Sequence, residues 1–184
     1  MESVKQKDKK SFDALKEKFG YVNKAQSPKL EKIVLSVGTG KKIKQDKKIN
    51  DFIGDRLAKI TGQKPSVRAA KKSNAGFKLR QGEPIGLAVT LRGDQMYNFI
   101  DKFIHIAVPR TKDFRGFKRE ALDAMGNLTL GIKEHTIFPE TGNEELKDVF
   151  SFALTFVTTA KSKAEAEDYF DFIGLPFKKK EEAK

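Results

Sequence analysis

The sequence predicts an α+β protein, a two-layer domain whose mainly antiparallel sheet packs helices on one face and leaves the other open. Three observations lead there. Apolar residues recur at every second position in Ile33–Val37, Leu87–Leu91 and Phe150–Phe156, the signature of half-buried strands. Elsewhere they recur three and four residues apart, the signature of amphipathic helices. The two kinds mix irregularly instead of alternating as β-α-β units. That order favours an antiparallel or mixed sheet, which can face solvent on one side.

Taken along the chain, Phe12, Leu15 and Phe19 lie at helical spacing and Gly20 follows as a stop, so a short amphipathic helix is expected first. Its lysines suit a membrane surface, but an apolar stripe of three residues fits packing on the domain better. After Ser27-Pro28, Ile33, Leu35 and Val37 alternate with Lys32, Val34 and Ser36, and Gly38-Thr39-Gly40-Lys41 closes this strand. Ile49, Phe52, Ile53, Leu57 and Ile60 mark one face of a helix expected over Asp46–Thr61, with Gly62 behind it. Gln63-Lys64-Pro65 turns the chain into Ser66–Ala70, and a basic segment runs from Lys71 to Gly82. Ile85–Arg92 reads as a strand with Leu87, Val89 and Leu91 on one face and Ala88, Thr90 and Arg92 on the other.

Asp94 is the expected N-cap of a helix that turns Tyr97, Ile100, Phe103, Ile104 and Ala107 inward before Pro109. A second basic segment carries Arg110, Lys112, Arg115, Lys118 and Arg119 around Phe114 and Phe117. Leu128–Ile132 reads as a short strand and Thr136–Pro139 as extended chain. In the Phe150–Thr158 strand, Ser151, Ala153 and Thr155 take the outer positions. Ser162 with Glu165 spells a capping box for a helix that buries Ala166, Tyr169, Phe170 and Ile173. This divides the chain into a basic N-terminal helix and linker (1–27), one α+β domain (28–177) and a charged tail (178–184).

The outer strand positions Ser36, Thr90, Arg92, Ser151 and Thr155 are small, polar or cationic, either ordinary polar-out patterning or a surface able to lie on a sugar-phosphate backbone. Charge bears on the choice. The 184 residues hold 37 Lys+Arg against 25 Asp+Glu, a net charge of +12. Residues 1–120 carry 29 basic and 13 acidic groups, whereas 121–184 carry 8 and 12. Such asymmetry suits a polyanion that meets one part of the molecule; a Lys-rich solvated surface is the plainer alternative.

Several functional classes lack their residues. Without cysteine there are no disulfides, thiolate nucleophiles or cysteine-ligated zinc. His105, beside Ile104 and Val108, reads as structural. His135 beside Glu134 has no third ligand. Gly38-Thr39-Gly40-Lys41 fits neither the Walker A spacing nor the dinucleotide fingerprint. Glu144-Glu145 reads as a solvated pair, and no catalytic constellation emerges, so no enzyme, cofactor or metal is expected. No run of about 18 apolar residues exists to cross a bilayer. The first 25 residues lack a signal-peptide core, so a cytoplasmic protein is expected. The two basic segments are the more specific signals: their cations suit phosphates, and Phe77 or Phe114 suits either base stacking or the core, with Phe117 assigned to the core.

At these residues the chain resembles a known family. Gly62–Pro65, Lys72–Gly82, Pro84–Gly86, Val89–Gly93, Ile106–Arg110, Asp113–Gly116, Ile137–Glu140 and Thr158–Ser162 are similar to large-subunit ribosomal protein five of the bacterial type, in the same order from about Pro28 to Phe177. The resemblance implies an α+β fold whose open sheet face binds 5S rRNA in the central protuberance, near 23S rRNA and neighbouring proteins. It implies rRNA contacts at Ser36, Gln63, Thr90 and Arg92. It further implies a loop at Ser73, Asn74, Ala75, Gly76, Phe77 and Lys78 that approaches P-site tRNA. Arg110, Lys112 and Arg115 would belong to a bridge to small-subunit head protein thirteen. The chain departs from the family pattern at Ser36, where Asn is usual, at Asp123–Leu128, which lacks the usual Arg and Tyr, and at His135, where Gln is common.

Overall fold

The computed structural model describes residues 3–40, 43, 48–142 and 149–178. Its strands are β1 (Leu30–Gly38), β2 (Ser66–Ala69), β3 (Pro84–Leu91), β4 (Leu128–Ile132) and β5 (Phe152–Thr158). They form one sheet in the order β2-β3-β1-β5-β4 with every neighbouring pair antiparallel. The helices are α1 (Val4–Phe19), α2 (Ile49–Thr61), α3 (Gly93–Lys102) and α4 (Lys163–Ile173). The α+β class read from the sequence is the one observed.

The period of two decides which face is covered. Ile33, Leu35 and Val37 of β1, Leu87, Val89 and Leu91 of β3, Leu128 and Leu130 of β4, and Phe152, Leu154 and Phe156 of β5 are buried together. Against them pack Ile53, Leu57 and Ile60 of α2, Phe99 and Ile100 of α3, and Ala166, Tyr169 and Phe170 of α4. Phe103 is fully buried at the centre, with ring centroids 5.9 Å from both Phe117 and Phe156. The assignment of Phe117 to the core therefore holds, and Phe114 packs edge-on against it at 4.9 Å.

Helix α1 is longer than the Phe12–Phe19 stripe suggests and lies against α3 and α4. Its buried line is Val4, Asp8, Ser11 and Leu15, half of it polar. Asp8 accepts hydrogen bonds from Tyr97 Oη at 2.5 Å and from Tyr169 Oη, tying α1 to both neighbours. The Asp101 carboxylate accepts from Val4 N and Ser3 Oγ at the start of α1. Burial and the Asp8 carboxylate push the Tyr97 phenol well above its ordinary range, and the same holds for Tyr169.

The structure corrects several local expectations. Asp94 is not the cap of α3: Arg92 occupies the cap position, and Asp94 sits in the first turn, where it pairs with Lys5 at 2.5 Å. There the helix dipole also favours a carboxylate. Thr136–Pro139 is not extended but part of two 3-10 turns, His135–Ile137 and Pro139–Thr141, closed by Thr141 Oγ1 donating to the His135 carbonyl. The last strand begins at Phe152, because the Phe150 amide instead donates to His135 Nδ1. His105 lies on the solvent side of a π-helical turn over Phe103–Ala107, whose extra residue per turn shifts the helical face that the sequence spacing assumed. Glu165 makes only half a capping box: Ser162 caps its amide, but its carboxylate accepts from Lys161 N and Tyr21 Oη. Asp46, the expected start of α2, the pair Glu144-Glu145 and most of the 178–184 tail lie outside the described residues.

Candidate nucleic-acid interface

Strand register determines what the uncovered face presents. Ser66 of β2 lies opposite Ala88 of β3, which lies opposite Ser36 of β1, then Ala153 of β5 and Gly131 of β4. One row of small side chains thus crosses all five strands. The next row holds Thr90, Val34, Thr155 and Thr129. Thr129 and Thr155 lie 3.2 Å apart through their hydroxyls, and Ser66 Oγ donates to the Ala88 carbonyl. These two rows carry no charge and nothing larger than Val or Thr. A flat, hydroxyl-bearing surface of this kind lets another polymer approach closely.

Glycine keeps the central seam tight. A Cβ on Gly86 would sit 2.7 Å from the Val37 carbonyl oxygen across the β1–β3 pair, so no larger residue fits without parting the strands.

Ionic groups stand at the rim. Arg68 of β2 is exposed opposite Gly86. At the other end, Arg92 follows β3, and its Nη1 lies 3.2 Å from Glu31 Oε1, with Lys32 Nζ 3.8 Å from the same oxygen. Of the four residues implied to meet rRNA, Ser36 and Thr90 lie in the two rows and Arg92 at their rim. Gln63 is exposed in the α2–β2 turn, where its carbonyl accepts from Thr61 Oγ1. The face brings in four residues that sequence reading did not single out as contacts: Ser66, Arg68, Thr129 and Glu31. Ser66, Arg68 and Thr129 sit on the two short edge strands, whose place in the sheet is set by strand order and not by local pattern.

The Ser73–Lys78 loop is the tip of an ordered hairpin between β2 and β3. Ala70 and Glu83 close its base, Asn74 and Leu79 exchange backbone hydrogen bonds at 3.0 Å, and Gln81 N donates to Ser73 Oγ. Phe77 is 65% exposed at the end of this hairpin. Lys71, Lys72, Lys78 and Arg80 flank it along the chain, and none of their side chains forms an ion pair with a carboxylate among the described residues; the Arg80 amide donates to Glu83.

Arg110, Lys112 and Arg115 are exposed on a second loop, anchored by Phe114, Phe117 and the C-terminal segment. Phe117 N donates to the Pro176 carbonyl and Lys178 N to the Phe117 carbonyl. Gly116 adopts φ 95°, and a Cβ there would lie 2.7 Å from Lys178 N. Arg119, which reads in the sequence like its basic neighbours, is engaged internally by Glu167 and Asp171 of α4 and stacks on Phe177 at 5.1 Å.

His135 is fully buried, stacked on Phe150 at 4.1 Å, with Nδ1 accepting a backbone N–H. That is a packing role. Among the described residues no group of three or more His, Asp or Glu is placed to hold a metal ion, and no helix is long and apolar enough to cross a membrane.

Comparison with known proteins gives the family. Residues 23–80 match the family model described as Ribosomal protein L5, and residues 84–177 match the model of the same ribosomal family's C-terminus. The chain is 48% identical over 174 residues to large ribosomal subunit protein uL5 of Carboxydothermus hydrogenoformans, covering 93% of this chain and 97% of that protein. It is 51% identical over 168 residues to uL5 of Flavobacterium johnsoniae, covering 91% of each. With both halves matched in order and most of each relative covered, the chain belongs to the ribosomal protein L5 family.

Proposed function

We propose that this chain, a structural, non-enzymatic constituent of the large ribosomal subunit, binds 5S rRNA through its open sheet face. The observation that carries the reading is the uncharged, hydroxyl-bearing double row across the sheet, with Arg92, Lys32 and Arg68 at its rim. Rim cations neutralise phosphates and supply affinity, while Ser36, Thr90 and Gln63 fix the register on a folded RNA shape. A hydroxyl both donates and accepts, which matches the ribose 2′-OH that distinguishes RNA.

In the same reading the Ser73–Lys78 hairpin reaches P-site tRNA, with the exposed Phe77 ring stacking and Lys78 meeting phosphate. The Arg110, Lys112 and Arg115 loop faces small-subunit head protein thirteen. 23S rRNA and other central-protuberance proteins surround the domain, in the cytoplasm.

Titrating the purified protein with 5S rRNA, with tRNA and with anionic vesicles at several salt concentrations tests this. 5S rRNA is expected to bind far more tightly than tRNA, and vesicles weakest. Equal affinity for the two RNAs would overturn the 5S assignment. Arg92→Ala is expected to weaken 5S binding by ~1–3 kcal/mol, the scale of a hydrogen bond to a charged group.

A further inference from the structure

The end of the open face carries an acidic residue where a polyanion is expected. By strict alternation from Ile33 and Lys32, position 31 would point into the helix layer. It does not, because β1 slips there: Leu30 faces Thr158 and Lys32 faces Val157, so one residue of β5 is matched by two of β1. Glu31 is the extra residue of a β-bulge. Bulges of this kind re-aim a side chain at functional edges. Here the bulge lets Leu30 stay buried while Glu31 and Lys32 both emerge, and the Glu31 carboxylate reaches Arg92 Nη1 at 3.2 Å.

We propose that Glu31 is the positioning residue for Arg92 and a specificity determinant of the RNA face. This rests on the reading that Arg92 meets rRNA. Glu31 accepts from one guanidinium nitrogen of Arg92 and leaves the other N–H groups for a phosphate. An RNA whose shape suits that geometry meets a pre-aimed fork. Any other phosphate must displace the carboxylate and suffers its repulsion. The pair is exposed on both sides, 56% for Arg92 and 45% for Glu31, so it biases rather than locks. Exposed pairs are worth at most about fivefold in an equilibrium constant.

The test measures Glu31→Gln, Arg92→Ala and the double variant against 5S rRNA and single-stranded polyuridylate across a salt series. Glu31→Gln is expected to tighten polyuridylate binding about three- to fivefold and to steepen its salt dependence by about 0.7, one further phosphate contact on single-stranded scaling. Its 5S affinity is expected to stay within twofold, so the preference for 5S falls. In the Arg92→Ala background the effect on polyuridylate is expected to vanish. Equal tightening for both RNAs would reduce Glu31 to a general charge and overturn the proposal. So would an undiminished effect without Arg92, or no effect on either RNA while Arg92→Ala still weakens 5S binding; in that last case the interface itself stands. If Arg92→Ala leaves 5S binding unchanged, Arg92 is outside the interface and this inference falls with it.

Discussion

Replacing Asp8 with Ala is the most searching test of how the helix layer holds the sheet. Asp8 is 6% exposed and accepts two phenolic hydrogen bonds, one from Tyr97 on α3 and one from Tyr169 on α4. Hydrogen bonds to a charged group contribute about 1.5–3 kcal/mol each. Tyr169 is fully buried and would lose its acceptor outright, whereas the half-buried Tyr97 hydroxyl can rehydrate. The expected loss is therefore about 3–4 kcal/mol, read as a lowered urea midpoint at unchanged slope. Asp8→Asn keeps one acceptor oxygen and is expected to cost roughly half as much. A loss under about 1 kcal/mol for Ala, or Asn as damaging as Ala, would refute the reasoning. An alkaline readout follows from the same geometry. All three tyrosines of the chain, Tyr21, Tyr97 and Tyr169, are pushed above their ordinary value near 10, by burial first and then by Glu165 or Asp8. A folded protein that keeps phenolic protons its unfolded chain has lost is at full stability below pH 10 and loses stability above it. Tyrosinate absorbance is therefore expected to emerge in one step with alkaline unfolding. Three tyrosines titrating near pH 10 in a protein that retains its near-UV circular dichroism would contradict this.

Other predictions follow from single contacts. Gly86→Ala places a methyl 2.7 Å from the Val37 carbonyl and is expected to cost ~1–3 kcal/mol by chemical denaturation; a neutral result would mean the β1–β3 seam yields freely. Phe103→Ala empties the centre of the aromatic cluster and is expected to cost ~3–5 kcal/mol in the same assay. Lys71→Ala with Lys72→Ala is expected to leave 5S affinity nearly intact in filter binding, since both lie on the hairpin assigned to tRNA; a large loss would move the 5S interface. Phe77→Ala is expected to change stability by no more than about 0.5 kcal/mol while weakening tRNA binding, because the ring is 65% exposed.

The open face was legible wherever one strand carried a clean period of two. Ser36, Thr90 and Thr155 could be placed on a common side from alternation alone, and register then set them in adjacent rows. What alternation could not supply was order: that Ser66 and Thr129, on the edge strands, complete those rows depends on pairings far apart in the chain. The polar half of the α1 stripe was hidden for a related reason. Nothing in the local pattern marks Asp8 and Ser11 as buried; their partners Tyr169 and Ser27 lie 161 and 16 residues away. The bulge at Glu31 did leave a trace, since Leu30 and Ile33 are three apart in a strand that otherwise buries every second residue. Arg119 left none: only the return of α4 with Glu167 and Asp171 separates it from the exposed cations nearby.

The same pairings explain what a net charge of +12 means for this fold. Four cations on the helix side are answered by carboxylates: Lys5 by Asp94, Lys18 by Asp168, Lys102 by Glu140, and Arg119 by α4. Lys71, Lys72, Lys78 and Arg80 on one loop and Arg110, Lys112 and Arg115 on the other have no such partner among the described residues. The two anchored loops therefore each present a cluster of cations without carboxylate partners, while the two rows of the open sheet face are neutral. On the proposed RNA-binding reading, the loops contribute long-range attraction that falls steeply with salt, whereas recognition on the sheet depends on close fit and hydroxyl contacts that salt screens little. On that reading Glu31 marks the border between the two regimes, biasing the direction of the cation nearest the neutral rows.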